Sequence, residues 1–309
     1  MLNSIHIRTL NMVLTTGSFA KAGSMLGYSA SAVSQQISAL ESSTGLTLFE
    51  RAARSVRPTR AAIVLGERCA GVLDQLTALE QEAQALAAGD RGVVRVGSYP
   101  AAQATLIPWA LARLAQWHPD AQVDLEEGES SDLMPLVLSS ALDLALVYVY
   151  DLMSAEWPAG ITAVELMQER LFVLVPPANP FVTADRVRLG DLAEQRWITG
   201  HEGSAKAALL TRLCADAGFS PRVAFRSNNH DAVQEMVRAG LGVALVPDLA
   251  LAGPSRETAR ALDGMPCARR VFVVRRTSNT NALLRSFEAA LGRAAADRRK
   301  RQRPTVQVR

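Results

Sequence analysis

Leu2, Ile5, Thr9, Met12 and Val13 recur at helical spacing, so residues 2–15 read as an amphipathic helix ending at Gly17. Ser18 is placed to cap a second helix, Phe19 to Leu26, and Gly27 with Tyr28 makes the turn. Ser29 can cap a third helix that runs to about Ser43. On it Val33, Ile37 and Leu40 form the buried stripe and leave Ala30, Ser31, Ser34, Gln35 and Ser38 outward. After Gly45 comes a short hairpin pattern with Arg51, Arg54 and Arg57 at its tip and return strand. Leu65, Cys69, Val72, Leu76, Leu79, Ala83 and Leu86 then alternate steps of 4 and 3. That is a heptad seam, which predicts a helix of ~40 Å over residues 60–87 that pairs with a second helix. Ala87 to Gly92 marks a boundary.

Residues 93–292 alternate between two periods. Val93–Gly97, Leu142–Tyr148, Leu171–Val175, Gly242–Val246 and Arg270–Val274 are short apolar runs rich in β-formers, and helical stretches lie near 105–117, 131–140, 204–217 and 229–239. Such alternation predicts α/β architecture with mostly parallel sheets. The loops Ser98–Ala102, Gly128–Ser131, Thr199–Ser204 and Ser227–His230 are rich in small polar residues, where open sheets bind ligands beside helix N-termini.

Charge changes the picture more than composition does. The net charge is +3, but residues 1–60 carry +4 and residues 293–309 carry +6, which leaves 61–292 at −7. A basic head on an acidic body implies that the head meets a polyanion. The third helix has a face of hydroxyls and one amide, with Glu41 its only charge. A face of that kind fits a DNA groove and can hydrogen-bond base edges, whereas a solvated face carries Glu and Lys. The arginines of the hairpin suit phosphates or a minor groove. The expected DNA-contacting set is Ser18, Lys21, Ser29, Ala30, Ser31, Ser34, Gln35, Ser38, Arg51 and Arg54. Residues 293–309 read as a basic disordered tail.

Thr16 to Ala22, Leu26, Ser31 to Glu41 and Gly45 to Arg51 together resemble the signature of LysR-type transcriptional regulators. Three positions depart from that pattern: Ala30 stands where many members have Gln, Gly23 replaces an alanine, and Ala62 replaces a glycine. The phrases Leu142–Leu146 and Val237–Pro247 are similar to the same family's effector region. The resemblance implies a winged helix-turn-helix over 1–58, a dimerisation linker helix over 59–89 and an effector-binding domain over 90–292. That last domain would have the fold of periplasmic solute-binding proteins, with subdomains of about 92–161 plus 268–292 and 162–267 joined by two crossing strands. The resemblance places Ser98, Tyr99, Ala101, Ser130, Val147, Thr199, Gly200, His201 and Asn228 around the effector. Hydroxyls and helix N-termini there favour a small carboxylate. It also implies a homodimer, tetramers built from two dimers, and palindromic half-sites on double-stranded DNA.

Other classes are excluded on specific grounds. The four histidines His6, His118, His201 and His230 are scattered, and no HExxH, GxSxG or P-loop spacing occurs, so no enzyme and no cofactor are expected. Cys69, Cys214 and Cys267 fit a reducing compartment with neither disulfide framework nor zinc site. No apolar run reaches the ~20 residues of a membrane span, and no signal peptide is expected at the start, which points to the cytoplasm. An architectural DNA-binding protein with a vestigial solute-binding domain is the alternative that shares the head.

Overall fold

The computed structural model describes residues 2–52, 55–88, 92–153, 156–251, 253–264 and 268–302. In the head, Asn3 accepts the Ile5 N–H and starts α1 (Ser4–Thr16), Ser18 starts α2 (Phe19–Leu26), and Ser29 starts α3 (Ala30–Thr44). All three helices end on a glycine in the left-handed region, Gly17, Gly27 and Gly45, where a side chain would be strained. Leu10, Val13, Ala22, Val33, Ile37, Leu40 and Leu48 close one small core between them. Strands β1 (Phe49–Ala52) and β2 (Ser55–Pro58) form the antiparallel hairpin that follows. Glu41, the one charge on α3, does not face outward to DNA. Its carboxylate accepts the backbone N–H groups of Leu48 at 2.7 Å and Phe49 at 3.3 Å, and so anchors the hairpin to the helix.

Gly23 has a geometric reason. A Cβ there would stand 2.6 Å from the backbone oxygen of Tyr28 and 3.3 Å from the Ser29 carbonyl carbon. The turn between α2 and α3 therefore folds back against α2 more closely than an alanine allows.

Helix α4 (Arg60–Ala88) is the predicted linker, about 43 Å long at 1.5 Å per residue. Its seam divides. Cys69 and Leu73, with Leu65 beside them, pack on Ile7 of α1, so the first two seam positions are used inside the chain. Val72, Leu76 and Leu79 remain 44%, 36% and 61% exposed, and Ala83 is exposed as well. The side chain of Leu86 lies outside the described residues, as do Gly89 to Arg91 at the boundary.

The body begins with β3 (Val93–Ser98), α5 (Pro100–Thr105), α6 (Ile107–Trp117), β4 (Gln122–Glu127), α7 (Ser130–Leu138) and β5 (Leu144–Tyr150). The long strand β6 (Ile161–Leu174) crosses to β7 (Arg186–Val187), β8 (Arg196–Thr199), α8 (Ala205–Asp216), β9 (Arg222–Arg226), α9 (His230–Arg238), β10 (Val243–Pro247) and β11 (Ala259–Leu262). Strand β12 (Ala268–Arg276) returns, and α10 (Leu283–Gln302) packs on α6. The strand order is β4-β3-β5-β12-β6-β10-β8-β9, with β11 on β6 and β7.

Two expectations change here. The sheet is mixed: β3–β4, β3–β5, β10–β8 and β8–β9 are parallel, but β12 runs against both β5 and β6, and β6 against β10. The antiparallel pairs are made by the two crossing strands, whose direction is set by leaving one half and re-entering it. The tail is helical to Gln302 rather than disordered from 293. Ala290, Leu291, Ala294 and Ala295 are buried, Arg113 pairs with Asp297 at 3.0 Å, and Arg299 donates to the Leu166 carbonyl at 2.8 Å. A period written in alanines buries enough surface against α6 to order the basic turns; residues 303–309 lie outside the described residues.

One buried ion pair ties α4 to the body. Arg276 Nε donates to Asp74 Oδ1, its Nη1 donates to the carbonyls of Val137 and Leu142, and Asp74 also accepts from the hydroxyls of Ser140 and Ser278. Ser140 holds a positive φ of 66° beside that carboxylate.

Candidate DNA-reading helix and effector cleft

The two expected sites differ in how well they assemble. On α3, Ala30, Ser31 and Gln35 are exposed, and Ser34 and Ser38 are half-buried on the same side. Ser29 spends its hydroxyl on the Ala32 N–H at 3.2 Å and pairs with Ser31 at 2.9 Å, so it presents a helix N-terminus rather than a free hydroxyl. Ser18 does the same for α2 through the Lys21 N–H at 3.4 Å, with the Lys21 side chain exposed beside it. Gln36, next to Gln35, turns inward and accepts from Thr9 at 2.6 Å. The wing backbone carries Arg51 opposite Val56, but the Arg51 side chain and all of Arg54 lie outside the described residues.

In the body, Ala101 and Asn228 line a groove of about 850 Å³ that also includes Glu129, His230 and Arg256. Thr199 and Gly200 line a separate inner void of about 20 Å³ with Tyr150, Lys206, Ser227 and His230. Ser130 accepts the Tyr148 N–H at 2.9 Å, and Asn228 accepts the His201 N–H at 3.2 Å while the His201 ring is exposed. Ser98 is wholly buried, with its hydroxyl turned to the Tyr99 carbonyl at 3.3 Å. Val147 belongs to the opposite face of the sheet, packed with Leu133, Val137 and Phe272. Because strand side chains alternate, it is Tyr148 and Tyr150 that reach the cleft side.

The strongest chemistry in the cleft comes from residues that the sequence reading passed over. Arg269 of β12 is fully buried opposite Glu169 of β6, where the two strands cross. Its Nε donates to Glu169 at 2.6 Å, and Glu169 also accepts the Leu249 N–H at 2.7 Å. The guanidinium carbon sits 4.9 Å from the Tyr99 ring and 4.6 Å from the Tyr148 ring, a cation–π cage. Among the described residues the Tyr99 hydroxyl has no hydrogen-bond partner, and the terminal nitrogens of Arg269 face the three tyrosines Tyr99, Tyr148 and Tyr150. Burial is the largest influence on Arg269 and opposes its charge, but Glu169 and the tyrosines together hold its pKa above the ordinary value. Burial raises Glu169, with Arg269 opposing, and pushes Tyr150 up to about 12. His230 is held well below its ordinary value by burial and then by the charges of Lys206 and Arg269, so it is neutral. The sequence signal was faint, because Glu169 and Arg269 each stand among other charges of their strands, Glu165 and Arg170 in β6 and Arg270, Arg275 and Arg276 in β12.

Among the described residues no cluster of three or more His, Cys, Asp or Glu side chains is placed to hold a metal. Cys69 and Cys214 are buried free thiols, with Cys214 pushed up to about 12 by burial; Cys267 lies outside the described residues. Among the described residues no helix is long and apolar enough to cross a membrane.

Two family models match this chain. Residues 5–63 match the bacterial regulatory helix-turn-helix of the lysR family, and residues 87–296 match the LysR substrate binding domain. The small neutral protease regulatory protein of Streptomyces coelicolor is 30% identical over 277 residues, spanning 87% of this chain and 85% of that protein. Full-length OxyR from Pseudomonas aeruginosa superposes with a TM-score of 0.61 at 20% identity, covering 94% of this chain and 95% of that one. Full-length CbnR solved with its target DNA gives 0.56 at 20% identity, covering 95% and 100%. At those identities the structures establish the shared fold, and the family models establish the kinship. The chain belongs to the LysR family of DNA-binding transcription regulators, with a substrate-binding effector domain and no enzymatic role.

Proposed function

We propose that the protein reads a specific DNA sequence with the exposed face of α3 and is controlled by a small carboxylate-bearing metabolite bound in the body's cleft. The observation that carries the first half is that face itself: Ser31, Gln35 and their neighbours present small, uncharged polar groups, with the Ala30 methyl beside them, on a helix whose N-terminus is capped and exposed. Gln35 is the residue suited to read a base edge in two hydrogen bonds, and Ala30 can touch only a thymine methyl. Lys21, Arg51 and Arg54 supply phosphate contacts, which add affinity without sequence preference. The exposed stripe of Val72, Leu76 and Leu79 pairs two chains, and two such dimers associate into a tetramer on paired half-sites. Residues 1–58, 59–89 and 90–292 divide the work of reading, pairing and sensing, and all of it takes place in the cytoplasm. Effector binding shifts the balance between two arrangements of the body, and α4 carries the change to the heads. A complete switch from 1:99 to 99:1 requires ~5.5 kcal/mol of differential binding.

Gel-shift titrations with selected and scrambled DNA across a range of salt test the reading. Gln35→Ala is expected to relax base preference by ~1–3 kcal/mol, while Lys21→Ala weakens binding to every sequence and lowers the salt slope by about 1. Equal effects from the two variants overturn this division. A steep salt slope with no sequence preference favours an architectural protein instead. For the sensor, calorimetry against a metabolite panel is expected to find carboxylates, with altered DNase footprints at saturation. Binding of neutral or cationic compounds alone sinks the carboxylate assignment.

A further inference from the structure

One ion pair, Glu129 with Lys206, spans the two halves of the body. Glu129 is the N-cap residue of α7, in the first half of the body, and Lys206 stands in the first turn of α8, in the second half. Glu129 Oε1 lies 3.6 Å from Lys206 Nζ, and its Oε2 accepts from the Tyr148 hydroxyl at 2.6 Å. Lys206 also donates to the Asn228 carbonyl at 3.1 Å, just ahead of α9. A carboxylate from one half therefore sits on an ammonium in the other.

The surroundings are those of a seat for one anion. Arg269 is already matched by Glu169, and His230 is neutral, so among the described residues Glu129 is the carboxylate that balances Lys206. Burial lowers the Lys206 pKa and Glu129 works against that fall, as expected of a cation that needs its counter-ion. The inner void beside Lys206 measures about 20 Å³, enough for a water but not for an acid. The groove of about 850 Å³ lies on the Glu129 side and shares His230 with the inner void. Glu129 lines that groove, whereas Lys206 lines the smaller void behind it.

We infer that Glu129 is an internal stand-in for the effector's carboxylate: an incoming acid replaces it on Lys206, and the released Glu129, still held by Tyr148, no longer bridges the two halves. This rests on the carboxylate reading of the effector given above. No covalent step is involved; one charge-assisted contact is exchanged for another, so the effector's affinity is set by competition. Loss of the bridge then frees the halves to change their relation, which is the difference in state that a regulator needs.

Lys21, Lys206 and Lys300 are the only lysines, so lysine carrying ¹³C at Cε gives three resolvable signals from the full-length protein. Sodium acetate serves as the probe and acetamide as its neutral counterpart. Acetate is expected to move the Lys206 signal in Glu129→Gln with affinity about tenfold or more above wild type. Tyr148→Phe, which alters no charge, falls between the two, and acetamide moves nothing. Equal or weaker acetate affinity in Glu129→Gln overturns the inference, as does an equal response to acetamide or no Lys206 response in that variant. If panel metabolites change the footprint while Lys206 never responds, the regulatory reading stands and the stand-in fails. If acetate behaves as expected but no metabolite changes the footprint, the seat stands and the regulatory reading fails.

Discussion

Asp74 and Arg276 join the linker helix to the body in a site where their side chains are 2% and 3% exposed. Among the described residues, replacing Asp74 by Ala leaves the buried guanidinium with the Val137 and Leu142 carbonyls alone, and its Nη2 already lacks a partner. Removing one partner of a buried pair costs ~3–5 kcal/mol, because the other charge is stranded away from water. Arg276→Met strands Asp74 instead, but Ser140 and Ser278 still donate to it, so that loss belongs at the lower end of the range. The double variant strands no charge, and its loss is expected to fall short of the summed single losses by ~2–3 kcal/mol. Urea denaturation followed by tryptophan fluorescence reports on the body alone, since Trp109, Trp117, Trp157 and Trp197 all lie in it. With a slope near the upper end of ~1–3 kcal/mol/M, Asp74→Ala moves the midpoint down by more than ~1 M. Additive losses, or single losses below ~1 kcal/mol, would refute the claim that these two groups compensate each other in a dry junction. The same strand, β12, holds Arg269 in the cleft seven residues before Arg276, so one strand carries a buried cation in the cleft and another at the linker helix.

Gly23→Ala is expected to cost ~1–3 kcal/mol in thermal unfolding of the head, because its Cβ meets the Tyr28 backbone oxygen at 2.6 Å; an unchanged melting profile means the turn can open without cost. The stability of the body is expected to decline as pH falls below 6.5. His230 has a folded pKa below that value, so the unfolded chain takes up a proton there that the folded one refuses, and stability is full only above it. His230→Gln should flatten that slope in urea titrations from pH 7 to 5, and an unaltered slope assigns the effect elsewhere. Leu76→Glu is expected to lower the assembly state seen by sedimentation, by breaking the proposed pairing along α4, without lowering the unfolding midpoint of the single chain, since Leu76 is 36% exposed within it. A sedimentation profile identical to wild type rejects the Val72–Leu79 stripe as the pairing surface.

The head was nearly all legible in the sequence, because local signals decide it: Ser18 and Ser29 cap helices, glycines end them, and Val33, Ile37 and Leu40 repeat at the helical period. Elements that pay for burial with their own apolar pattern, such as β3, β5 and α9, were legible for the same reason. Strands β4 and β9 were not, since they stand at the two ends of the sheet and expose polar side chains such as Asp124, Glu126, Arg222 and Arg226. The split of the linker seam, with Cys69 turned to Ile7 and Leu76 left to solvent, depends on where α1 lies, which no heptad count contains. Whether Val147 or Tyr148 faces the cleft is a question of which side of the sheet the second half covers. The cleft's charges were the least legible. Glu129, Glu169, Lys206 and Arg269 come from α7's cap, β6, α8 and β12, separated by tens of residues, and only the crossing of β6 and β12 brings them together. Sequence alone therefore determined the DNA-binding family of this chain, through a local signature, and how its helices are bounded, because capping and period are short-range effects. The tertiary structure decided which charges meet and what they exclude from water, because burial and Coulombic pairing depend on distance in space rather than along the chain.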